Sequence, residues 1–252
     1  MPARIHIPQA LSAGLVLDLP EGAARHVQVL RLQPGAALTL FDGRGGQWSA
    51  ELLAMGRKRV SARVLAHLPV ECELARTVTL ALGMPANERM DTLVEKATEL
   101  GVSRIVPLVC ERSVLRVAGE RAERKAAHWQ AIAVAACEQS GRNRVPMVAA
   151  PVALKDWLAQ DAAEAAPGLR GVLSFALDAR PLRALLGGDA AAADGALPLT
   201  LLSGPEGGLS EAEAAFAERQ GFVPITLGMR ILRADTAPLA ALAGLCALDQ
   251  MT

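Results

Sequence analysis

Two glycine-bearing segments toward the carboxyl end of the chain combine residue types that build a ligand site. In LPLTLLSGPEGGLSEAE (residues 197–213) an apolar, strand-like run ends in Ser203-Gly204-Pro205-Glu206-Gly207-Gly208. Ser210 then starts a helix, with Glu213 three residues on in capping-box spacing. Ligands of open parallel sheets bind beyond the carboxyl ends of the strands, and glycines there leave backbone N–H and C=O groups within a ligand's reach. The turn carries neither G-x-x-x-x-G-K-[ST] nor G-x-G-x-x-G, and the carboxylate of Glu206 opposes phosphate, so a phosphate cradle is disfavoured. The second segment is ITLGMRILRADTAPLAAL (residues 225–242). Its strand ends at Leu227-Gly228, its loop carries the cations Arg230 and Arg233, and a helix begins near Asp235 or Thr236. A third polar cluster, Glu138-Gln139-Ser140-Gly141-Arg142, ends a helix with more polar groups than a cap needs; a solvated last turn is the alternative.

The elements that must position these residues fall into two textures. Over the first 70 residues, RIHI, LVLDL, ALTLFD, GQWSAELLAM and RVSARVLAHL read as short strands. Asp42-Gly43 and Gly45-Gly46 give a hairpin signal between two of them. Only EGAARHVQVLR is helical there, and the whole reads as a small β-barrel. From about Thr77, strands alternate with helices, which implies a parallel sheet covered on both faces. Met90, Leu93, Val94, Ala97 and Leu100 recur at helical spacing before Gly101, and residues 120–139 read as a helix that includes Ala127, Ile132, Val134 and Ala135. RIVPLVC, VPMVA, GVLSFAL, LPLTLLSG and FVPITLG are the other strands, Ser210–Gln220 and Thr236–Gln250 the last helices, and GGDAAAADGA is of low complexity. The boundary is expected near residues 69–76, giving modules 1–70 and 76–252.

Composition narrows the function class. Cys72, Cys110, Cys137 and Cys246 are scattered, as in a reducing compartment, and neither they nor His6, His26, His67 and His128 show metal-ligand spacing. No run reaches the ~18 apolar residues of a membrane span, and MPARIHIPQA lacks the apolar run of a secretory signal, so a cytoplasmic location is expected. The net charge is zero. Yet residues 1–70 carry Arg4, Arg25, Arg31, Arg44, Arg57, Lys58, Arg59 and Arg63 against Asp18, Glu21, Asp42 and Glu51, an excess of four positives (8 − 4). Such a basic module is either a polyanion-binding surface or a solvated face.

Taken together, SGPEGGLS followed by LGMRILRADTA resembles the paired signature of the SPOUT superfamily of knotted methyltransferases. More narrowly it is similar to the family that methylates N3 of a uridine in small-subunit (16S) ribosomal RNA. RHVQVLR (25–31), FDGRGG (41–46), VEKATELGVSRIVPLVCERS (94–113) and ACEQSGRNRVP (136–146) sit where that family has similar segments, so the likeness covers nearly the whole chain. Asp235 departs from the glutamate more usual in the family, keeping the charge and shortening the reach.

The resemblance implies an α/β carboxyl-terminal domain with a parallel sheet and a deep trefoil knot, a small amino-terminal PUA-like β-barrel for RNA, a homodimer, and S-adenosylmethionine as cofactor. It places Leu202, Ser203, Gly204, Pro205, Glu206, Gly207 and Gly208 on one wall of the cofactor site. Leu227, Gly228, Ile231, Leu232 and Arg233 form the other wall, with the loop after Phe175-Ala176-Leu177 closing it. Uracil N3 carries a proton, so methylation there needs a base or a group that stabilises the uridinate. The candidates are the cations Arg112, Arg142 and Arg233 and the carboxylates Glu138 and Asp235, with the base unassigned. With no tyrosine and few other aromatics, RNA contacts are expected from Arg4, Arg25, His26, Arg31 and Arg44, and from Trp48 if it is exposed. Another RNA substrate (transfer RNA or large-subunit RNA) and a non-catalytic RNA-binding assembly factor are the rival readings. A nicotinamide oxidoreductase is remote without the Rossmann fingerprint.

Overall fold

The computed structural model describes residues 2–56, 59–164, 167–187 and 197–249. Arg57 and Lys58 of the basic excess, most of the alanine-rich GGDAAAADGA stretch and Gln250 lie outside the described residues. By backbone contacts the chain divides into two units, Met1–Glu73 with Val134–Val145, and Leu74–Ala133 with Pro146–Thr252. The first unit is therefore discontinuous in sequence, unlike the contiguous modules expected.

In the first unit β1 (Ala3–His6), β2 (Val16–Asp18), β3 (Ala37–Phe41), β4 (Gln47–Met55) and β5 (Val60–Leu68) form one mixed sheet in the order β1-β3-β4-β5-β2. β1 runs parallel to β3 and the other neighbours are antiparallel. Val60, Ala62 and Val64 alternate inward along β5, as a half-buried strand requires. They meet Ile5, Leu38, Leu40, Ala50 and Leu52 in a core capped by Ala24 and Val27 of α1 (Glu21–Val29). The β3–β4 connection turns on Gly43, Gly45 and Gly46, all at positive φ. A Cβ on Gly46 would collide with the His67 ring, so this turn has no room for a side chain.

The second unit is an eight-stranded parallel sheet in the order β11-β13-β10-β12-β6-β7-β8, with β9 also pairing β7. Its strands are β6 (Val78–Gly83), β7 (Arg104–Val109), β8 (Met147–Val148), β9 (Val152–Ala153), β10 (Leu169–Leu173), β11 (Arg180–Pro181), β12 (Leu199–Ser203) and β13 (Val223–Thr226). The apolar runs split between two faces with period two. Val78, Leu80, Leu82, Leu199 and Leu201 belong to one core, and Ala81 and Leu202 to the other. The first face is covered by α2 (Asn87–Glu99), the early turns of α3 (Glu120–Ser140), α5 (Leu182–Leu185) and α7 (Thr236–Asp249). The second is covered by α4 (Leu154–Glu164) and α6 (Glu211–Arg219). α2 and α3 are tied by Asp91, whose two oxygens accept from Trp129 Nε1 and His128 Nε2, each at 2.9 Å.

α3 covers the helix read from the sequence. Its buried side is Ala122, Trp129, Ala133, Ala136 and Cys137, whereas Ala127 and Ala135 are exposed. Alanines are spread around this helix, so apolar spacing alone gave no unique face. Among the described residues no helix is long and apolar enough to cross a membrane.

Candidate active site

Strands β13, β10 and β12 are adjacent and parallel, so their carboxyl ends deliver three chain-distant loops to one place. Those loops wall a cavity of about 670 Å³ in the second unit. That size lies within the ~300–1,000 Å³ typical of cofactor sites.

The loop after β12 is held from several sides. Gly208 N donates to Pro205 O at 2.8 Å, and Gly208 has φ +68°. A Cβ on Gly204 would stand 2.8 Å from Leu209 N, so the loop folds back on itself only because that side chain is missing. Beneath it Gly83 lets β6 approach Pro205, where a Cβ would meet the proline ring and nitrogen. The capping box exists as spaced: Ser210 Oγ accepts from Glu213 N at 3.2 Å and Glu213 Oε2 accepts from Ser210 N at 2.9 Å. The buried Glu213 carboxylate also accepts from Glu111 N at 2.8 Å, fixing α6 to the segment after β7. Glu111 itself is held below the usual carboxylate range by hydrogen bonds from Ser210 and Lys155.

The loop after β13 opens with a reciprocal pair. Gly228 N donates to Thr226 Oγ1 at 3.2 Å, and Thr226 Oγ1 donates to Gly228 O at 3.1 Å. Gly228 has φ +111°, a conformation L residues rarely adopt. Arg230, Ile231, Leu232 and Arg233 then line the cavity, and Arg233 O accepts from Thr236 N and Ala237 N as α7 begins. The third loop contributes Ser174 and Phe175, anchored by Ser174 N donating to Ile225 O at 2.9 Å.

The lining fits a ligand with an apolar ring system and mixed charges. Leu173, Phe175, Ile225 and Leu227 offer apolar surface, Glu206 and Glu218 carboxylates, and Arg89, Arg230 and Arg233 cations. Glu206 is itself positioned, accepting from Ala86 N at 3.2 Å and pairing with Arg89 at 3.5 Å. S-adenosylmethionine has this make-up: an adenine, a ribose diol, a sulfonium, an ammonium and a carboxylate.

Of the expected cofactor residues, Ser203, Gly204, Pro205, Glu206, Gly207, Gly208, Leu227, Ile231, Leu232 and Arg233 line the cavity. Leu202 does not; its side chain is fully buried in the core under α4 and α6. Gly228 shapes its loop without lining the cavity, and Leu177 projects wholly into solvent at 109 % exposure. Phe175, which opens the expected closing loop, lines the cavity; sequence reasoning missed Val172 and Leu173 at the end of β10, Ser174 after them, and Arg89 and Glu218, helical residues without any local signal.

The expected catalytic residues separate. Arg112 braces the cavity from behind, its Nη1 donating to Gly207 O at 3.0 Å and Leu209 O at 3.3 Å. Asp235 lines a neighbouring, smaller cavity. Glu138 and Arg142 belong to the first unit and find partners inside it. Arg142 is 2 % exposed and ion-paired with Glu73, while Glu138 Oε1 accepts from His6 N at 2.9 Å. A guanidinium paired and desolvated in this way has no free face for a substrate anion.

Arg4 is engaged in the same way. It donates to Gln47 Oε1 at 2.6 Å, Asn143 Oδ1 at 2.7 Å and Arg142 O at 3.2 Å, and stacks over Phe41. Arg25, His26, Arg31 and Arg44 are exposed. Trp48 is half-buried against the first unit's core, tilted on His67 at 4.9 Å. Burial pushes the Cys110 and Cys137 thiols up to about 12, which removes them as nucleophiles. Among the described residues no cluster of His, Cys, Asp and Glu could hold a metal.

Comparison with known proteins adds an independent line. Residues 72–245 match the model of an RNA methyltransferase domain and residues 19–65 that of an RNA methyltransferase PUA domain. The ribosomal RNA small subunit methyltransferase E of Synechocystis is 36 % identical over 88 % of this chain and 69 % of its own length. That of Bacillus subtilis is 31 % identical over 87 % and 84 %. Among solved structures, the Neisseria gonorrhoeae ribosomal RNA small subunit methyltransferase E bound to S-adenosylmethionine superposes with a TM-score of 0.85 at 35 % identity, over 98 % of both chains. A Legionella pneumophila protein, also solved with S-adenosylmethionine, gives 0.87 at 33 % over 98 % of both.

Proposed function

The chain belongs to the RNA methyltransferase family, and from that premise we propose that it methylates N3 of a uridine in small-subunit ribosomal RNA, with S-adenosylmethionine as methyl donor. The observation that carries the reading is the cavity at the carboxyl ends of β10, β12 and β13, lined by the glycine-rich loop 203–208 and the Arg230–Arg233 loop. The names and bound ligand of the similar proteins support the substrate class and the cofactor.

Bound there, S-adenosylmethionine supplies a methyl group on a sulfonium, whose C–S bond breaks with its electron pair going to sulfur as a nitrogen lone pair takes the methyl. The chain's residues hold and orient. Leu173, Ile225 and Leu227 would give adenine an apolar bed, Glu206 and Glu218 would offset positive charge, and Arg233 or Arg230 would meet the carboxylate. Fixing reactants in line contributes several kcal/mol to such a displacement. The same reading includes the knotted passage of the chain and RNA contacts at Arg25, His26, Arg31 and Arg44.

A homodimer belongs to this reading too. In the loops after β10 and β13 that wall the cavity, Phe175, Leu177, Met229 and Ile231 are exposed by 63, 109, 103 and 84 %. Such a concentration of large apolar side chains beside a ligand site favours a covering partner surface, and a second copy supplies one.

The test is direct. The protein and labelled S-adenosylmethionine are incubated with small subunits from a strain lacking the gene, and the modified base is mapped by mass spectrometry. One labelled 3-methyluridine in the small-subunit RNA is the expected product. Label in transfer RNA or large-subunit RNA instead, or none at all, overturns the assignment.

A further inference from the structure

At the β3–β4 turn of the first unit two arginines stand side by side. Arg44 and Arg144 face each other in an isolated antiparallel bridge, so their side chains leave the backbone on one face, with Cβ atoms ~5 Å apart. Both are exposed. The turn is stitched to this segment by Gly45 N donating to Asn143 O at 3.2 Å and Val145 N to Gly43 O at 3.3 Å. Like charges placed directly opposite destabilise such a pairing, and the nearby carboxylates are largely engaged. Glu71 Oε1 accepts from Gly46 N at 2.9 Å and lies 3.3 Å from Arg144 Nη2. Asp42 Oδ1 accepts from Arg44 N at 3.1 Å. Among the described residues the Arg44 guanidinium has no ion-pair partner.

Next to the arginines stands an exposed ring. β4 and β5 set Trp48 directly opposite His67, their ring centroids 4.9 Å apart. Val64 is buried, and three residues on His67 would ordinarily face the other side of the strand. A bulge between the Trp48 and Ala50 pairs gives β5 an extra residue and returns His67 to the side of Trp48. Ser49 holds the bulge, its Oγ accepting from Ala66 N at 3.2 Å. Trp48 is half-buried and His67 exposed, so the pair presents its imidazole to solvent. The Arg144 guanidinium and the His67 ring lie against consecutive glycines. A Cβ on Gly45 would stand 2.6 Å from Arg144 Nη2, and one on Gly46 would collide with His67 Nε2. Bare backbone thus brings a cation and a ring within one residue's span, ~3.8 Å of chain.

We propose that Arg44, Arg144 and His67 form a subsite for one unpaired nucleotide of the RNA, its phosphate between the two guanidiniums and its base stacked on His67, with Trp48 behind the ring. The assignment rests on the RNA reading above and adds what the first unit selects, a single-stranded segment. A phosphodiester between the arginines relieves their repulsion through charge-assisted hydrogen bonds. A base can lie on a protein ring only when it is free of its own stack, which a duplex does not offer. An acidic peptide would satisfy the arginines and leave the imidazole without a flat partner. Stacking tolerates any base, so this subsite fixes the path of the strand and does not read its sequence.

Fluorescein-labelled decauridylate is titrated into the full-length protein at several salt concentrations and followed by anisotropy. Arg44→Ala and Arg144→Ala should each weaken binding and lower the log–log salt slope by about 0.7, the share of one phosphate contact on a single strand. His67→Ala should weaken binding at least ~5-fold, as loss of a stacking ring does, and leave the slope unchanged. S-adenosylmethionine affinity should stay within about twofold in all three, as for separated sites. Arg144→Ala also frees Glu71, so Arg44→Ala decides: an unchanged slope in that variant, melting like the wild type, overturns the proposal. So does an unchanged affinity in His67→Ala, or a decauridylate–decaadenylate duplex bound as tightly as the single strand. Poly-glutamate that displaces the RNA as effectively as unlabelled decauridylate does would assign the arginines to an acidic protein and overturn it too. The expected slopes in a protein that fails to label small-subunit RNA would uphold the subsite and sink the proposed function; labelling with unmoved slopes would do the reverse.

Discussion

Arg112 Nη1 lies 3.0 Å from the carbonyl oxygen of Gly207 and 3.3 Å from that of Leu209, so a cation from the loop after β7 clamps the glycine-rich wall from behind. The side chain is exposed and makes no contact with the cavity interior. Arg112→Ala should therefore weaken S-adenosylmethionine binding about 3–10-fold, the size of a charge-assisted hydrogen bond discounted for solvent. Calorimetric titration measures this, and unchanged affinity would show that the wall stands without its brace.

Gly204 and Gly228 are glycines for different reasons, and their variants should differ. A Cβ at Gly204 meets Leu209 N of its own loop, whereas Gly228 has open space but φ +111°. Gly204→Val should abolish cofactor binding by breaking the fold-back of the loop. Gly228→Ala should cost about 1–3 kcal/mol of backbone strain and reduce affinity more mildly. Circular dichroism checks that both variants fold, and equal affinities in the two would contradict the distinction.

The Glu73–Arg142 pair is buried on the arginine side, at 3 % side-chain exposure against 19 % for Glu73. Glu73→Gln should lower stability by about 3 kcal/mol, because it strands a desolvated guanidinium. Glu73→Gln with Arg142→Met should recover part of that loss, as read by thermal unfolding. Folded Arg142→Met should keep its methyl-transfer rate, since this arginine serves the first unit and not the chemistry. A large drop in kcat without unfolding would restore it to the catalytic set.

Arg25 and Arg31 are exposed, Arg25 pairing with Glu21 at 3.1 Å across one helical turn. If they meet RNA phosphates, Arg25→Ala with Arg31→Ala should weaken RNA binding and flatten its log–log salt dependence by about one unit per lost contact on a duplex, somewhat less on single strands. Cofactor affinity should hold. A solubilising surface would leave both affinity and slope unmoved.

Met229 and Ile231 should matter for assembly. Replacing both with aspartate should shift the protein to a monomer in light scattering at micromolar concentration, because charge at an apolar contact is desolvated without a partner. A wild-type protein that is already monomeric and fully active would remove the dimer from the function.

The two glycine-rich walls were legible in the chain because their signals are local. A capping box needs only Ser210 and Glu213, and a strand stop followed by glycines needs only its neighbours. The alternating texture likewise gave the parallel sheet, since a strand buried on both faces must be apolar throughout. Tertiary structure decided the rest. Ser174 and Phe175 join the cavity because β10 lies between β12 and β13, an order that no short segment encodes. Arg89 and Glu218 reach it from helices on which they read as ordinary polar positions. Arg4, Glu138 and Arg142 looked available to a substrate and have partners within the protein, which no local signal showed because Asn143, His6 and Glu73 stand 139, 132 and 69 residues away along the chain. A sequence states that a charge exists; whether it is spent inside the protein or left for a substrate depends on desolvation and partners, which only the folded chain supplies.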